Sequence, residues 1–269
     1  MRVYVPTYYP NQLITIPVYT RGAQRIYICV YKVSNRDTMY FSSAPTINDS
    51  TVFNVKIPKI PKEGVMVEIH NVRNGHVYFD AEGRIAQDPT FAIGKPEIKN
   101  LIIPIQYIQD ENARRFALFC DDFCEDAGEI PAMNKVYISR DRKFRIDYKE
   151  VIWDDNPESK TYGQELTTPA RVNEVTKIIE VSKKYFKPYT VPGRKFTLWH
   201  EWSHVYKNVN PSDEFEADKN AAFMYLGTGN PKLEASRVAY KIFYSSPHNL
   251  NIARYNKIRD YIDNYQDNL

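Results

Sequence analysis

The sequence is poor in cysteine, in glycine and in long apolar runs, and each shortage argues against a class of protein. Three cysteines in 269 residues cannot all pair and show no regular spacing, so a disulfide scaffold is excluded and a reducing compartment is expected. Ten glycines argue against a collagen-like or low-complexity chain. No apolar run approaches the roughly 20 residues that a bilayer span needs, so we expect no membrane span.

Charge and the first residues narrow the possibilities further. The chain carries 36 basic and 33 acidic residues, a balance that makes nucleic acid unlikely to be the main partner. The opening MRVYVPTYYP has neither a compact apolar segment nor a small-residue cleavage site, so we expect no secretory signal. These features together favour the cytoplasm, or an assembly formed there.

The residue pattern changes near residue 108, which predicts two domains, 1–108 and 109–269. In the first part, short runs rich in β-branched and aromatic residues are separated by turn signals. This spacing predicts four to seven strands of a β-sandwich or small barrel. The abundance of tyrosine (21) and proline (17) suggests a β-rich domain with much contact surface.

The second part has helical periodicity and predicts a mainly helical domain with a small sheet, so the fold class of the chain is α+β. A first amphipathic helix carries an apolar stripe that Gly128 ends: Ala113, Phe116, Ala117, Cys120, Phe123 and Cys124. We interpret its two cysteines as buried thiols. A strand pair is predicted at 135–139 and 144–153, and a helix from Thr168-Pro169 to about residue 186. Further helices are predicted at about 194–207, 212–227, 231–245 and 249–266.

The segment FTLWHEWSHVY carries the chemically informative motif, His200-Glu201-Trp202-Ser203-His204. Two histidines four residues apart on a helix share one face, so both imidazoles can bind one zinc ion. Glu201 between them can act as general base on a water molecule that the metal activates. Composition alone would produce roughly 0.005 such matches in a chain of this length. The uncharged flanks of the motif predict a buried helix rather than a surface one.

A zinc site needs a third protein ligand, and the next helix offers carboxylates. We expect Ser212 to cap this helix and Glu214 to meet the histidines across the helical hairpin. Asp218, one turn further on, is expected to orient a ligand histidine from outside the metal shell. Asp213 is the rival third ligand. An acidic cluster at a helix N-terminus is also favoured by the helix dipole alone.

The motif HEWSH followed by EFEAD resembles the gluzincin type of zincin metallopeptidase, whose pattern is HExxH and then ExxxD on the next helix. The resemblance implies Zn²⁺ bound by His200, His204 and Glu214, with Glu201 as the base and Asp218 in support. The gap of nine residues between His204 and Glu214 is shorter than in many gluzincins, which argues against a full-sized cleft. Residues 194–245 also resemble small metallopeptidase-like proteins of tailed, crAss-like phages of Bacteroidetes. This implies a location in the host cytoplasm or in a virion.

Other candidate residues carry weaker signals. A group that stabilises the oxyanion is expected downstream, with no basis for choosing among Tyr225, Arg237, Tyr240 and His248. The two tyrosines of this set are expected to pack in the core or between helices. His70 and His76 are expected to be exposed at a turn. The basic residues of the last helix, Arg254, Lys257 and Arg259, are interpreted as a solvated face.

Two functions follow from these patterns. The first is a zinc peptidase that hydrolyses peptide bonds of a peptide or protein substrate. The second is a subunit of a phage tail or neck, a ring or collar component whose zincin-like domain serves assembly. The second function predicts a homo-oligomer or contacts with virion proteins. The two functions are compatible with each other.

Overall fold

Strands dominate the first part of the chain and helices the second, which confirms the predicted α+β class. The computed structural model describes residues 1–8, 12–58, 61, 63–73, 76–77, 91–100, 110–130, 135–230, 232–244 and 249–265. The chain divides into two units, Met1–Ile103 and Pro104–Leu269. The domain boundary predicted after residue 108 lies among residues 101–109, outside the described residues, and stays a prediction.

The described part of the first unit forms two sheets. Its strands are β1 (Arg2–Val5), β2 (Gln12–Thr20), β3 (Gln24–Lys32), β4 (Asn35–Ser43), β5 (Thr46–Ile47), β6 (Ser50–Ile57), β7 (Val65–Arg73), β8 (His76–Val77), β9 (Phe91–Ile93) and β10 (Glu97–Asn100). One sheet has the order β1-β7-β3-β4, with β5 paired to β3 and β8 to β7. The other has the order β10-β2-β6, with β9 paired to β2. All of these pairs are antiparallel.

The core of the first unit lies between these sheets, because alternate residues of the strands carry the apolar side chains. Residues 14, 16 and 18 of β2 and residues 26, 28 and 30 of β3 are all fully buried. The rings of Phe41 and Phe53, one from each sheet, lie 5.6 Å apart. His70 is buried on β7 and stacks on Tyr27, so the expected exposed turn position is wrong for this histidine. The side chain of His76 lies outside the described residues.

The second unit combines a small mixed sheet with helices. Its elements are α1 (Glu111–Asp126), β11 (Lys135–Ile138), β12 (Arg145–Lys149), β13 (Ile152–Trp153), β14 (Glu165–Leu166), β15 (Ala170–Val172), β16 (Ile178–Ser182), α2 (Lys183–Phe186), α3 (Val191–Tyr206), α4 (Glu214–Gly227), α5 (Lys232–Tyr244) and α6 (Asn249–Asn264). The predicted apolar stripe of α1 is confirmed, and Cys120 and Cys124 are buried free thiols. The four later helices are confirmed to within a few residues.

The helix predicted from Thr168 to about residue 186 is wrong. Residues 170–172 and 178–182 form the antiparallel hairpin β15–β16, and only residues 183–186 are helical. The segment is rich in β-branched residues, which favour strands over helices. Asn173 accepts the backbone N–H groups of Val175 and Thr176, which fixes the turn, and Lys177 closes it at φ 59°. The sheet order is β11-β12-β16-β15, which leaves β15 at an edge among the described strands.

Helix α3 lies at the centre of the second unit, packed against α1, α4, α5 and β15. Its tryptophans Trp199 and Trp202 are fully buried, and the ring of Phe116 on α1 lies 5.0 and 5.7 Å from theirs. The expectation of a buried motif helix is therefore confirmed. Among the described helices, none is both long and apolar enough to cross a membrane.

We expect Phe116→Ala to lower the free energy of unfolding of the second unit by about 3–5 kcal/mol, because it removes a fully buried ring from this cluster. All three tryptophans of the chain lie in the second unit, so denaturation followed by tryptophan fluorescence reports on that unit. Leu118→Ala is the matched control on the same helix, since Leu118 is 60% exposed. An equal loss in both variants would contradict the assigned packing of α1 on α3.

Candidate metal centre

Helix α3 presents two histidines on one face because they lie four residues apart, and local interactions fix the start of the helix. Thr190 caps the helix by accepting the N–H of Gly193, and Pro192 occupies its first turn. His200 and His204 follow one turn apart, with ring centroids 4.7 Å from each other. Both rings are largely buried, with side chains 14% and 9% exposed. They therefore point into the protein and not into bulk solvent.

The turn between α3 and α4 brings a carboxylate to these histidines. Asp213, not Ser212, caps α4, and its carboxylate accepts the N–H of Glu216 at 3.0 Å. That interaction accounts for the acidic start of the helix and gives Asp213 a role other than metal binding. Glu214, the first residue of α4, faces both histidines instead. Among the described residues, the one group placed to hold a metal ion is His200, His204 and Glu214.

The two histidines turn the same ring nitrogen to one point. His200 Nδ1 lies 2.9 Å from a carboxylate oxygen of Asp218, and His204 Nδ1 contacts the carbonyl oxygen of Pro211. Both acceptors fix the proton on Nδ1, which leaves the Nε2 lone pairs to face each other at 3.0 Å. Two lone pairs at this distance repel unless a cation lies between them. The arrangement therefore suits a shared proton or a metal ion.

The distances among the three ligands suit zinc. Bond lengths of about 2.0–2.1 Å in a tetrahedral zinc site place neighbouring donor atoms about 3.3 Å apart. Glu214 Oε2 lies 3.3 Å from His200 Nε2, and Glu214 Oε1 lies 3.9 Å from His204 Nε2. The Glu214 side chain is 45% exposed, so a position beside it can be reached from solvent. Three donors with one open side are the pattern of a catalytic site rather than a closed structural one.

The charges around His200, His204 and Glu214 also favour a bound cation. Burial opposes a charge on His200, but the carboxylates of Asp218 and Glu214 outweigh it and raise the pKa of His200 to about 10. The hydrogen bond with His200 lowers the pKa of Glu214 to about 2. Burial, and then the neighbouring His200, lower the pKa of His204. In the metal-free protein a proton on His200 provides the positive charge that a bound metal would otherwise supply.

Glu201 lies beside the ligands without being one of them. It is only 9% exposed, and its carboxylate accepts the backbone N–H of Val172 on β15. Burial raises the pKa of Glu201 to about 7, a value suited to a group that accepts and then returns a proton near neutral pH. The side chain of Glu201 lines the same cavity as the three ligands.

Arg254 of α6 completes the cluster. Its Nε and Nη2 lie 2.7 and 2.9 Å from the two carboxylate oxygens of Asp218, and Nη2 lies 2.9 Å from Glu214 Oε2. The expected solvated face is therefore wrong for Arg254, whose side chain is 13% exposed. The sequence contains one signal for it: three acidic side chains brought to one partly buried site need a counter-cation. The sequence does not tell which of the basic residues provides that cation.

A cavity of about 550 Å³ opens over the ligands. Its walls come from α3, α4, α6, the strand β15 with its flanking residues, and the end of α5. The lining is partly apolar, with Tyr189, Phe196, Ile242 and Phe243, and partly charged, with the carboxylates and Arg254. The volume lies within the range of small-molecule and peptide side-chain pockets. The cluster thus faces a space that a substrate can enter.

The expected oxyanion-stabilising residues do not meet at this cavity. Tyr225 is fully buried, as predicted, and is not among the lining residues. Arg237 pairs with Glu234, and Tyr240 is 54% exposed, stacks on Tyr244 of the same helix and meets Tyr255 of α6 edge-on. His248 lies outside the described residues. Of the groups that do line the cavity, Arg254 and β15 were not predicted from the sequence.

The chain was compared with protein-family models, with curated proteins and with solved structures, and none of the three comparisons gave a match.

Proposed function

We propose that the second unit is a zinc-dependent peptidase, in which His200, His204 and Glu214 hold Zn²⁺ and Glu201 is the general base. One observation carries the proposal: three donor atoms within 4.8 Å of one another and a fourth group, the buried carboxylate of Glu201, line a single cavity. A structural zinc site would need neither the cavity nor the extra carboxylate. The resemblance of HEWSH and EFEAD to the gluzincin pattern supports the same function.

When bound, Zn²⁺ would act as a Lewis acid that lowers the pKa of a water molecule and polarises the substrate carbonyl. Glu201 accepts the proton of the attacking water and passes it to the leaving amine. The backbone N–H of Val172 and the short helical spacing to His200 keep the Glu201 carboxylate beside the ligands. Asp218 and Pro211 hold the imidazoles in the tautomer that presents Nε2.

The edge strand β15 suits an extended peptide substrate. The N–H of Asn173 donates to Ile178 and the N–H of Ser182 donates to Pro169, so residues 169, 171 and 173 face β16. The backbones of Ala170 and Val172 therefore turn away from β16, and both residues line the cavity. Because the N–H of Val172 already donates to Glu201, a peptide would pair with this edge through the backbone of Ala170 and the carbonyl of Val172, which would bring it past Glu201 and the ligands.

Hydrolysis of an unstructured peptide mixture, read by mass spectrometry, tests this proposal. We expect cleavage that 1,10-phenanthroline stops and added zinc restores. No cleavage by a protein that holds one zinc ion per chain would contradict the peptidase function while leaving the metal site intact. Chelator-resistant cleavage would contradict the proposed mechanism.

The apolar part of the cavity lining predicts a substrate preference in the same experiment. Burying a charged side chain against Phe196 and Ile242 is unfavourable, so peptides that place leucine or phenylalanine there should be preferred to those with aspartate by at least about tenfold in kcat/KM. Ile242→Asp should reduce this preference. An unchanged preference in the variant would contradict the assigned pocket.

Assembly into a virion structure such as a phage tail or neck is the second candidate function, favoured by one feature of the second unit. Strand β11 is the other edge of the four-stranded sheet among the described strands, and its Val136 and Ile138 are 48% and 54% exposed. Apolar edge strands pair readily with a second chain. Light scattering on the purified protein tests this: a homo-oligomer that Val136→Lys dissociates would support it, and a monomer at all concentrations would contradict it.

A further inference from the structure

Arg254 contacts two different acidic residues of the candidate metal centre at once. Glu214 and Asp218 lie one turn apart on α4, and Arg254 reaches both from α6. Each of these carboxylates in turn contacts His200, at 3.3 Å and 2.9 Å. The guanidinium packs over the ring of Phe243, 4.8 Å from its centroid, which restricts its position. Arg254 thus holds both carboxylates from a helix other than α3 and α4.

The contacts of Arg254 with Asp218 and Glu214 depend on the planar guanidinium and its several N–H donors, rather than on a positive charge alone. Two nitrogens of Arg254 meet the two oxygens of Asp218, and one of the same nitrogens also meets Glu214. The ammonium of a lysine is a single point charge and cannot make these three contacts in one plane. The Glu214 side chain is 45% exposed, so loss of its contact with Arg254 would let it adopt other rotamers.

Two opposing effects of Arg254 on a metal ion have to be weighed. Its positive charge repels a bound cation, but that charge is already neutralised by the two carboxylates. Removing Arg254 would leave the Asp218 carboxylate, 5% exposed, without its bidentate partner. The loss of a partner from a buried charged pair is costly, and Asp218 would then no longer orient His200. The positioning effect is therefore expected to exceed the repulsion.

We propose that Arg254 is a positioning residue that holds Glu214 and Asp218 in the arrangement that binds the metal, so that its loss weakens metal binding. The inference rests on the proposed zinc site. Arg254 acts through the carboxylates, since it is a donor to them and cannot be a ligand itself. The same helix offers a matched control, Arg259, which contacts Asp260 and the ring of Tyr255.

The test is the affinity of the full chain for Co²⁺ and Zn²⁺, measured by competition with a chromophoric chelator. The absorption spectrum of bound Co²⁺ reports the coordination geometry. We expect Arg254→Met to weaken binding of both metals by about 10- to 100-fold and to alter the Co²⁺ spectrum. Arg259→Met should bind both metals as the wild type does. Circular dichroism of each metal-free variant establishes that it is folded.

The variant Arg254→Lys keeps the positive charge but loses the planar guanidinium, so it shows which of the two properties metal binding needs. It also keeps the proposal testable if Arg254→Met does not fold. We expect the lysine variant to bind Co²⁺ at least about tenfold more weakly than the wild type. Wild-type affinity in Arg254→Lys, or in a folded Arg254→Met, would overturn the proposed role of Arg254 while leaving the metal site established. A wild-type protein that binds neither metal would overturn the metal site and this inference with it.

Discussion

Glu201→Gln is expected to lower kcat/KM for peptide hydrolysis by about 10²- to 10⁴-fold without loss of the metal, because it removes the general base and leaves the ligands in place. Glutamine has the shape of glutamate but cannot accept the proton of the attacking water. The side chain is 9% exposed and lies at the cavity, so no nearby bulk water replaces it efficiently. The measurement is steady-state hydrolysis of one peptide identified in the mixture, together with the zinc content of the variant.

The control for this variant is Glu216→Gln, the same chemical change on α4. The Glu216 carboxylate accepts the backbone N–H of Val209 and is not among the residues that line the cavity. We expect the activity of this variant to stay within about twofold of the wild type, as for a surface change. A fully active Glu201→Gln would refute the assigned base. Loss of zinc in that variant would instead make Glu201 part of the metal site.

The candidate site could be predicted from the sequence where helical spacing alone determines the geometry. Residues four apart on a helix share a face whatever the rest of the fold does, so His200 and His204 are adjacent. Because the Asn-Pro-Ser turn is short, α4 has to pack beside α3, and this brings Glu214 to the histidines. Ser212 as the cap was wrong by one residue, since Ser and Asp are nearly equivalent as caps.

Features that depend on distant parts of the chain could not be predicted in this way. Thr168-Pro169 can begin a helix or precede a strand, and pairing of β15 with β16 decides the outcome. Arg254 and the exposed Arg259 are both arginines of the same mainly polar helix, α6, five residues apart. Arg254 is buried because Asp218, 36 residues earlier, lies opposite to it. Packing between helices therefore determines which of the basic residues enters the site.

The purified protein is expected to contain about one zinc ion per chain, and His204→Ala is expected to lose nearly all of it, because two remaining ligands do not hold zinc at a site that needs three. Elemental analysis after gel filtration measures both. The metal should also stabilise the second unit, by about 2.7 kcal/mol when free zinc is 100 times its dissociation constant. Tryptophan fluorescence should show this gain in the wild type and not in the variant.

His70→Ala is the matched control for the loss of zinc, since it removes a histidine that lies in the first unit and contacts Glu68 rather than the cavity. It should keep about one zinc ion per chain. A folded wild type, never exposed to chelator, that contains no zinc would contradict the metal centre. The buried acidic cluster would then be compensated by Arg254 and by a proton on His200 alone, and assembly through the exposed edge β11 would become the better-supported function.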